Sequence, residues 1–294
     1  METQHPLGLV EYTNDQYHAA PGISKSHLDV IAGKSPKHYW EKYINPKHEE
    51  PPKSLVFQKG QAMHTAILEP ETMSERVIVG LPHDRRSKAN QQAWAEYELE
   101  HAGKIILSRE HLDDVERVVE AVWRSPEAAG LLTGGYAEQS IFAMMQVPDD
   151  EHETGLLLDH ETGEVIEHLT KCQLDYVNWN RGYILDLKSS EDASPAGFAK
   201  SCANYRYPVQ NAWYNDVLDA SPFGYHPENW AFLVFEKEPP YAIGIHFLDE
   251  VDIARGRIAA HRDFKRIVQH RRANHWPDYG MSQKPLNLPS WTRL

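Results

Sequence analysis

The chain has 294 residues, of which 41% are hydrophobic and 25% charged, and its formal net charge is −13. This length and composition are ordinary for a soluble globular protein that buries its core without disulfides or a structural metal. The two cysteines, Cys172 and Cys202, do not have the spacing of a zinc finger or an iron–sulfur cluster, and we expect two buried thiols. Residues 1–16 contain no signal-peptide core and no apolar run reaches membrane-spanning length, so we expect a cytoplasmic protein.

The acidic net charge, taken alone, argues against a nucleic-acid-binding protein. The basic residues are unevenly distributed, however, because residues 255–272 hold seven arginines and lysines against one acid, Asp263, and residues 25–53 are rich in lysine. A basic surface on an acidic protein can hold DNA, but a solvated helix face explains the same pattern. Both interpretations of the C-terminal basic stretch stay open.

The first third of the chain predicts helices. Ser26 can cap a short helix that Gly33 closes, Pro36 suits the first turn of the next helix, and Pro70 stops a longer one. Between positions 109 and 124, apolar residues recur at the spacing of one helix face. We therefore expect helices at residues 26–31, 36–43, 54–68, 89–101 and 109–124.

The middle of the chain predicts β-strands. The patterns indicate strands at residues 136–147, 154–159, 165–177 and 183–188, with a hairpin turn at residues 160–163. Helices are expected at residues 195–202 and 207–218, further strands at residues 230–236 and 241–248, and a basic helix at residues 251–272. The tail from Trp276 onward is expected to be irregular and docked by Trp276 and Trp291.

This order of elements predicts an α/β protein with a mixed central β-sheet flanked by helices. We expect one domain over residues 1–294, because no internal repeat or low-complexity segment divides the chain. Its three parts are a mainly helical N-terminal part (1–134), a sheet and helix that carry the candidate site (135–250), and a basic helix with a docked tail (251–294).

Two aspartates and a lysine form the most informative local pattern. Asp186 and Lys188 stand two apart on a predicted strand and so share one face of it. If residues 180–181 form a two-residue turn, Asp175 lies directly opposite Asp186, with Cβ atoms about 5 Å apart. A divalent metal would relieve the repulsion between these carboxylates. A three-residue loop with Gly182 in the left-handed conformation would instead move Asp175 to the other face.

The pattern is typical of metal-assisted phosphodiester hydrolysis. Oxygen ligands suit Mg²⁺ or Mn²⁺, and Lys188 could orient or deprotonate the attacking water or stabilise the charged transition state. Glu138, at the start of the preceding strand, could add a third carboxylate, and His64, midway along a helix, could offer an imidazole nitrogen. Each feature also has a structural explanation, because D-x-K occurs by chance on edge hairpins and a lone histidine often belongs to the core.

The order of these residues resembles a known family. A helical histidine, then Glu138, Asp175, the Asp186–Lys188 pair and the element Gln210-x-x-x-Tyr214 are similar to the RecB-like branch of the PD-(D/E)xK nucleases. The chain most resembles the nuclease domain of RecE-type exonucleases (exonuclease VIII), over nearly its whole length. The similarity runs through residues 22–28, 60–70, 85–86, 137–141, 186–189, 205–214 and 276–277.

The resemblance implies a restriction-endonuclease-like core with an N-terminal helical elaboration, and an enzyme that uses Mg²⁺ or, as a substitute, Mn²⁺. RecE-type enzymes degrade one strand of duplex DNA from its 5′ end and leave a 3′ overhang for a RecT-type single-strand annealing protein. They assemble as a ring-shaped homotetramer around double-stranded DNA, and such a ring needs only a basic channel. The resemblance also implies a stand-alone nuclease of phage or prophage origin.

The resemblance further implies roles for individual residues. The implied metal ligands are His64, Asp175, Asp186, Glu138 and the backbone carbonyl of Leu187. The implied catalytic residues are Lys188, Asp186, Asp175 and Glu138. The residues expected to contact DNA or its 5′ phosphate are Ser24, Ser26, Arg85, Arg86, Arg206, Tyr207, Gln210 and Tyr214.

Two features depart from the RecE pattern, and two other functions stay open. Gln173 and Leu174 stand where RecE has arginine and proline, and the hairpin over residues 153–168 is longer than expected. A structure- or site-specific endonuclease with the same core would also cut circular DNA. A DNA-binding recombination scaffold could keep the fold without catalysis, whereas a purely structural oligomer is the least favoured alternative.

Overall fold

The computed structural model describes residues 5–280 and residue 285. Its strands are β1 (Gly8–Val10), β2 (Val77–Val79), β3 (Ile105–Leu107), β4 (Tyr136–Gln146), β5 (Glu167–Asn178), β6 (Tyr183–Ser190), β7 (Asn229–Glu236) and β8 (Ile243–His246). The main sheet has the order β1-β4-β5-β6-β7-β8, with β6 parallel to β7 and the other neighbours antiparallel. Strands β2 and β3 form a separate small parallel sheet.

Helices precede, interrupt and follow the strands of the main sheet. They are α1 (Asn14–Ala19), α2 (Lys25–Gly33), α3 (Pro36–Tyr43), α4 (Leu55–Leu68), α5 (Met73–Arg76), α6 (Lys88–Glu100), α7 (Arg109–Arg124), α8 (Pro126–Leu131), α9 (Pro195–Asn204), α10 (Tyr207–Ala220) and α11 (Glu250–Ala273). This architecture confirms the predicted mixed α/β class with a central sheet flanked by helices. Among the described residues, no helix is both long and apolar enough to cross a membrane.

Helical layers cover both faces of the main sheet. On one face, α2, α10 and α11 bury apolar side chains, including Trp213 and Phe264, against β4 and β5. On the other face, α4 and α7 bury Met63 and Val118 against the middle strands, where Leu187 points toward them. Full burial of each such side chain contributes roughly 1.5–3 kcal/mol. The two layers therefore hold the middle strands, which carry the candidate site, in a fixed position.

The predicted helices agree closely with the structure. Those at residues 36–43 and 109–124 have the predicted bounds, and the buried stripe of α7 is the predicted one. The prediction of Ser26 as the cap of α2 is wrong, because the chain enters the helix at Ser24, whose backbone N–H donates to His27 Nδ1. The sequence patterns missed β1, β2, β3, α1, α5 and α8, because elements of three to six residues are too short to show a periodicity.

The predicted strand at residues 154–159 is wrong. Only isolated bridges occur there, at residues 148↔156 and 158↔165. The segment is held by side chains instead: Asp159 accepts from the N–H groups of Glu161 and Thr162 and pairs with Arg272 of α11. Asp149 pairs in the same way with Lys265. Residues 148–166, which contain this segment, therefore form a loop that the two ion pairs connect to α11.

Two further segments differ from prediction or complete it. The strand expected at residues 241–248 is shortened to β8, because Tyr241 has a φ of 58°, which a strand cannot accommodate. Trp276 docks as expected, with its ring stacked on Tyr39 at a centroid distance of 5.5 Å. The predicted docking residue Trp291 lies outside the described residues.

The basic residues of α11 all contact acceptors within the protein. The contacts join Arg255 to Asp252, Arg257 to Asp216, Arg262 to Asp263, Lys265 to Asp149, Arg266 to Ile31 O, Arg271 to Tyr39 Oη and Arg272 to Asp159. Five of these contacts join the helix to α2, α3, α10 and the loop of residues 148–166, whereas those of Arg255 and Arg262 lie within the helix itself. The structure therefore favours the structural interpretation of this basic stretch over a free DNA-binding surface.

Candidate active site

Three acidic residues lie at the same level of three adjacent strands. The β4–β5 pairs at residues 137↔176 and 139↔174 place Glu138 opposite Asp175. The β5–β6 pairs at residues 176↔185 and 177↔184, continued by one residue, place Asp175 opposite Asp186. The predicted two-residue turn is wrong, because residues 179–182 connect the strands, with Gly182 at a φ of 67°. A four-residue loop leaves the predicted register unchanged, because it adds one residue to each side of the turn.

The backbone is irregular at this level of the sheet. Glu138 has a φ of 49°, in a region that non-glycine residues rarely occupy. On β5, Leu174 packs on the α10 side of the sheet, whereas Tyr176, two residues later, packs on the α4 side. Residues two apart on a regular strand share a face. The alternation of side-chain faces along β5 is therefore interrupted at Asp175. Such local irregularities are common at functional sites because they redirect side chains.

The carboxylates of Glu138 and Asp175 lie close to His64 of α4. One ligand atom from each of His64, Glu138 and Asp175 lies within 4.8 Å of the others, so the three side chains could hold one metal ion. Asp175 Oδ2 accepts a hydrogen bond from Leu187 N at 2.8 Å, and the His64 ring lies near enough to the Leu187 backbone for that backbone to raise the histidine pKa against the larger effect of burial. The Leu187 backbone, whose carbonyl is an expected ligand, therefore lies beside this cluster.

Asp186 lies next to the cluster but is not one of its three members. The residue is 1% exposed, and its Oδ1 accepts a hydrogen bond from Gln210 Nε2. Its Oδ2 forms an ion pair with Lys188 Nζ, so both oxygens of this buried carboxylate have partners within the protein.

Burial and mutual repulsion shift the pKa values of these acids upward. Burial, and then the charge of Asp175, raises the pKa of Glu138 to about 8. Burial likewise raises the pKa of Asp186 to about 6 and raises the pKa of Asp175. Burial lowers the pKa of His64 to about 4, so its imidazole is neutral and free to act as a ligand. The metal-free site therefore retains protons that a divalent cation would displace.

Lys188 places a positive charge beside the acids. Burial by itself lowers the pKa of this ammonium group, but the charges of Asp186 and Asp175 outweigh that effect and raise the pKa above its usual value. A lysine that stays protonated can stabilise negative charge but cannot take a proton from water. Of the roles expected from the sequence, charge stabilisation and orientation of the water fit this environment.

The donor set fits a hard divalent cation. It combines carboxylates of Glu138, Asp175 and Asp186 with one neutral imidazole and a nearby backbone carbonyl. Oxygen-rich sets of this kind suit Mg²⁺ and Mn²⁺. The raised pKa of Glu138 comes from burial and from the charge of Asp175, and a bound cation would offset both effects.

Several residues expected to contact DNA gather on one side of the cluster, where α2 and α10 begin. Ser24 Oγ and Ser26 Oγ lie 2.9 Å apart. Lys25, between them, donates from Nζ to Tyr205 O at 2.8 Å and lies 6.0 Å from the centroid of the Tyr207 ring. Lys25 is not among the predicted site residues, although it falls within the 22–28 stretch that carries the resemblance. Lys25 also pairs with Asp29 at 2.6 Å, so it lies on this side of the site as one half of an ion pair.

Three other expected DNA contacts are engaged within the protein. Gln210 is buried and donates to Asp186, and Tyr214 follows one turn later on α10, packed against Trp230. The guanidinium of Arg206 is held by Asp29, Asp263 and the carbonyl of Leu28. Gln210 therefore helps to position Asp186, and Arg206 helps to hold α2 and α11 together. Direct DNA contact by either residue stays a prediction.

Arg85 and Arg86 lie in the loop before α6. Arg85 pairs with Glu98 at 2.6 Å and stacks on Trp94, and Arg86 pairs with Asp84 at 3.3 Å. Within residues 5–280, no recorded side-chain contact joins either arginine to the cluster. The structure therefore does not bring these two residues together with the rest of the predicted site.

Sequence reasoning missed Asn14 of α1. Its side-chain amide lies near Glu138 and lowers the pKa of that carboxyl against the larger effect of burial, and its Nδ2 donates to Gln173 Oε1 at 3.3 Å. No local pattern marks Asn14, because its partners lie more than a hundred residues away on β4 and β5. The N-terminal segment therefore contributes directly to the environment of the acids.

Comparisons with known proteins agree with this architecture. Residues 159–284 match the family model described as "PDDEXK-like domain of unknown function (DUF3799)", and this segment contains Asp175, Asp186 and Lys188. A crystal structure from Eubacterium rectale, described as a "Putative exonuclease", aligns with a TM-score of 0.59 at 14% identity over 95% of this chain and 97% of that chain. The structure of SSO0001 covers 76% of this chain and 88% of that chain at 13% identity, but its TM-score of 0.29 carries no argument. No curated protein matches the chain.

The matched segment begins before β5 and extends beyond α11, so it includes two of the three acidic strand positions and Lys188. His64 and Glu138 lie outside it and are assigned to the site by geometry alone. The six-stranded mixed sheet and its flanking helices, the family-model match over residues 159–284 and the fold of the Eubacterium rectale structure together show a mixed α/β fold with a PDDEXK-like domain.

Proposed function

We propose that this chain is a Mg²⁺-dependent exodeoxyribonuclease that degrades one strand of duplex DNA from its 5′ end and leaves a 3′ overhang for recombination. The observation that carries the proposal is the cluster of His64, Glu138 and Asp175 beside Asp186 and Lys188 on a PDDEXK-like fold. The Eubacterium rectale protein of similar fold carries the description "Putative exonuclease", which supports cutting from ends. The strand polarity rests on the resemblance to RecE-type enzymes.

The proposed chemistry assigns a task to each part of the site. The residues that would hold Mg²⁺ are His64, Glu138, Asp175, Asp186 and the backbone carbonyl of Leu187. When bound, the ion supplies Lewis-acid chemistry toward the scissile phosphodiester. Lys188 attracts the phosphate and stabilises the charge that grows on its oxygens, because it stays protonated beside two acids. Gln210 keeps Asp186 in position through its hydrogen bond.

The beginning of α2 is the proposed seat of the DNA 5′ phosphate. Helix N-termini bind phosphate through free N–H groups, and Ser24, Ser26 and Lys25 add hydroxyl and ammonium donors there. Tyr207 lies between this seat and Lys188, 5.1 Å from the lysine Nζ. Arg85 and Arg86 would take part only if the duplex extends along the α6 side of the molecule.

The assembly is also a proposal that rests on the resemblance. We expect residues 1–294 to act as a single nuclease domain in a ring-shaped homotetramer, in the cytoplasm, with a RecT-type annealing protein as partner. Because the cations of α11 have partners within the protein, the basic lining of a central channel would come from other residues, such as the lysines between residues 25 and 53.

Digestion of end-labelled DNA tests the proposed activity. A linear duplex labelled at the 5′ or the 3′ end is incubated beside a closed circle, with Mg²⁺ or with EDTA. The proteins are wild type, Lys188→Ala and a control variant of an exposed lysine, Lys200→Ala. We expect Mg²⁺-dependent release of the 5′ label as mononucleotides by wild type and Lys200→Ala, an intact circle, and no cleavage by Lys188→Ala.

Other outcomes identify the alternatives. Cutting of the circle would indicate an endonuclease with the same core, because a closed circle offers no end. Binding of DNA without any cleavage would indicate a recombination scaffold. Release of the 3′ label first would overturn the proposed polarity while leaving the exonuclease activity in place.

A further inference from the structure

A column of aromatic rings leads from the surface to Lys188. The Tyr205 and Tyr207 rings stack at a centroid distance of 5.8 Å and an interplanar angle of 26°. Tyr207 in turn stacks on the buried ring of Phe232 at 5.6 Å, and its centroid lies 5.1 Å from Lys188 Nζ. The outermost ring, Tyr205, is 62% exposed. An exposed aromatic ring thus lies one ring away from the proposed catalytic lysine.

The backbone that carries Tyr205 is firmly held. Only Tyr205 and Arg206 connect α9 to α10, and Arg206 adopts a φ of 57°. Such a conformation persists in a non-glycine residue only where its surroundings enforce it. The Arg206 guanidinium is anchored by Asp29 and Asp263, and the Tyr205 carbonyl accepts from Lys25 Nζ at 2.8 Å. Because the backbone is held, binding of a planar group to this surface ring orders only the tyrosine side chain, which limits the cost in conformational entropy.

The charges around the column identify the planar group. Lys25 and Lys188 both lie within about 6 Å of the Tyr207 centroid, on the side where the phosphate is expected. Aromatic rings beside cations are the recurring means by which proteins hold single-stranded nucleic acid, with bases stacked on rings and phosphates near ammonium groups. Lys25 is paired with Asp29 and Lys188 with Asp186, so both lysines are held in place beside the column. A polynucleotide offers a phosphate to such ammonium groups together with a base for the ring, whereas an apolar protein partner offers neither.

We propose that Tyr205 is a stacking platform for one unpaired nucleobase of the strand being cut, close to the scissile phosphate. This inference rests on the proposed nuclease function and adds a binding residue to it. Because every base has a planar face, the platform would hold the strand without selecting its sequence. The base must leave its partner strand to stack on Tyr205, so the platform also favours a frayed duplex end.

An abasic-site experiment tests the platform. Single-turnover cleavage is measured on duplexes that lack one base at each of the first few positions from the 5′ end. Tyr205→Ala should cleave intact DNA roughly 5- to 150-fold more slowly than wild type, which is the range expected for loss of one stacked base. Tyr205→Phe should recover most of this loss. Tyr279→Ala, at another exposed tyrosine, should match wild type.

The decisive measurement is whether the effects of the Tyr205 substitution and of the missing base on the cleavage rate are additive. At one position the abasic duplex should slow wild type by a similar factor and should not slow Tyr205→Ala further, because both changes remove the same stack. A Tyr205→Ala variant with wild-type rates, or abasic effects that simply add to it at every position, would overturn the proposal.

A binding measurement separates this proposal from the proposed activity. Single strands carrying 2-aminopurine near the 5′ end are bound in Ca²⁺ instead of Mg²⁺, and their fluorescence is recorded. At one position of the strand, wild type and Tyr205→Phe should quench the fluorescence of 2-aminopurine, whereas Tyr205→Ala should leave it unquenched. Quenching by a wild type that does not cleave DNA would refute the nuclease but support the platform. Cleavage without Tyr205-dependent quenching would refute the platform alone.

Discussion

Gln210 contacts the proposed metal site through another residue and not directly. Its Nε2 donates to Oδ1 of Asp186, a carboxylate that is 1% exposed and whose second oxygen faces Lys188. Partners of this kind hold metal-binding carboxylates in one rotamer, and their loss costs about 10- to 100-fold in metal affinity or activity. The hydrogen bond therefore gives α10 a positioning role in addition to its packing role.

We predict that Gln210→Ala raises the Mg²⁺ concentration needed for half-maximal cleavage by about 10-fold or more, because Asp186 loses its fixed orientation. Gln210→Glu should be at least as damaging, since it adds a carboxylate beside a buried one. The measurement is a Mg²⁺ titration of the initial rate, with the exposed Gln92→Ala as control. Unchanged Mg²⁺ dependence in Gln210→Ala would show that the bond plays no part in metal binding.

His27 is a buried titratable residue outside the metal cluster. Its Nδ1 accepts from Ser24 N at 3.2 Å, and its ring stacks on Tyr43 at 3.8 Å. Burial, and then the charge of Arg271 with smaller effects of Lys171, Lys42 and His168, lowers its pKa well below the usual value. The proton thus binds the unfolded state more tightly, so this residue's contribution to stability is complete above about pH 6.5 and is lost as the pH falls below it.

We predict that His27→Gln reduces the loss of unfolding free energy between about pH 7 and pH 5.5 by roughly 1 kcal/mol. The slope does not vanish, because other histidines with lowered pKa values remain, including His18 and His168. Urea unfolding at the two pH values measures the difference. His160→Gln, at an exposed turn position, serves as control and should keep the wild-type slope. An unchanged slope in His27→Gln would contradict the assignment.

At the scale of elements, β4 and β5 show how a regular sheet is modified to build a site. The strands pair on both sides of residues 138 and 175. Between these pairs, Glu138 has a positive φ and the alternation of faces along β5 is interrupted. This conformation costs on the order of 1–3 kcal/mol, and the buried, mutually repelling acids add to the cost. The surrounding pairs and the two helical layers compensate for it.

We predict that Glu138→Gln melts about 2–4 °C higher than wild type in EDTA at about pH 8, while losing cleavage activity. The pKa of Glu138 is raised to about 8, so its charge destabilises the fold increasingly as the pH rises above the unfolded value near 4.5. At about pH 4.5 the two proteins should therefore melt alike. Thermal unfolding at both pH values checks this, with the exposed Glu100→Gln as control. Equal melting temperatures at the higher pH would show that the charge carries no cost.

Individual elements also show how far sequence patterns reach. Helix α7 and strands β4 to β7 were predicted to within a few residues because their own residues carry the periodicity that packing requires. The strand expected at residues 154–159 did not form, because its aspartate binds turn N–H groups and its charges pair with α11. Those partners lie more than a hundred residues away and leave no local pattern.

At the scale of the whole molecule, metal binding and folding are coupled. Three buried acids with raised pKa values destabilise the folded protein when they are ionised without a bound cation. A cation that binds only the folded state adds RT ln(1 + [L]/Kd) to its stability. The same cation must displace the protons that these acids retain, so its apparent affinity depends on pH.

We predict that Mg²⁺ raises the melting temperature of the wild-type protein, and more so at about pH 8 than at about pH 6, because Glu138 and Asp186 are deprotonated more completely at the higher pH. Thermal unfolding with and without Mg²⁺ at each pH measures the shift. Asp175→Asn should abolish most of it, because Asp175 belongs to the three-residue cluster. A shift of equal size at both pH values would mean that the ion binds elsewhere.

The sequence by itself determined the fold class and the elements that carry the site, because helix and strand patterns and the order of chemical residues are local properties of the chain. It also determined that Leu185 and Leu187 point into the core while Asp186 and Lys188 point away, since a strand alternates its faces. Only the tertiary structure decided that His64 and Glu138 lie close to Asp175. It also decided that one oxygen of Asp186 accepts a hydrogen bond from Gln210 while the other pairs with Lys188. It alone decided that Arg206 and the cations of α11 brace the fold. These arrangements depend on partners far apart in the chain and on irregular backbone at Glu138 and Asp175, which no local pattern records.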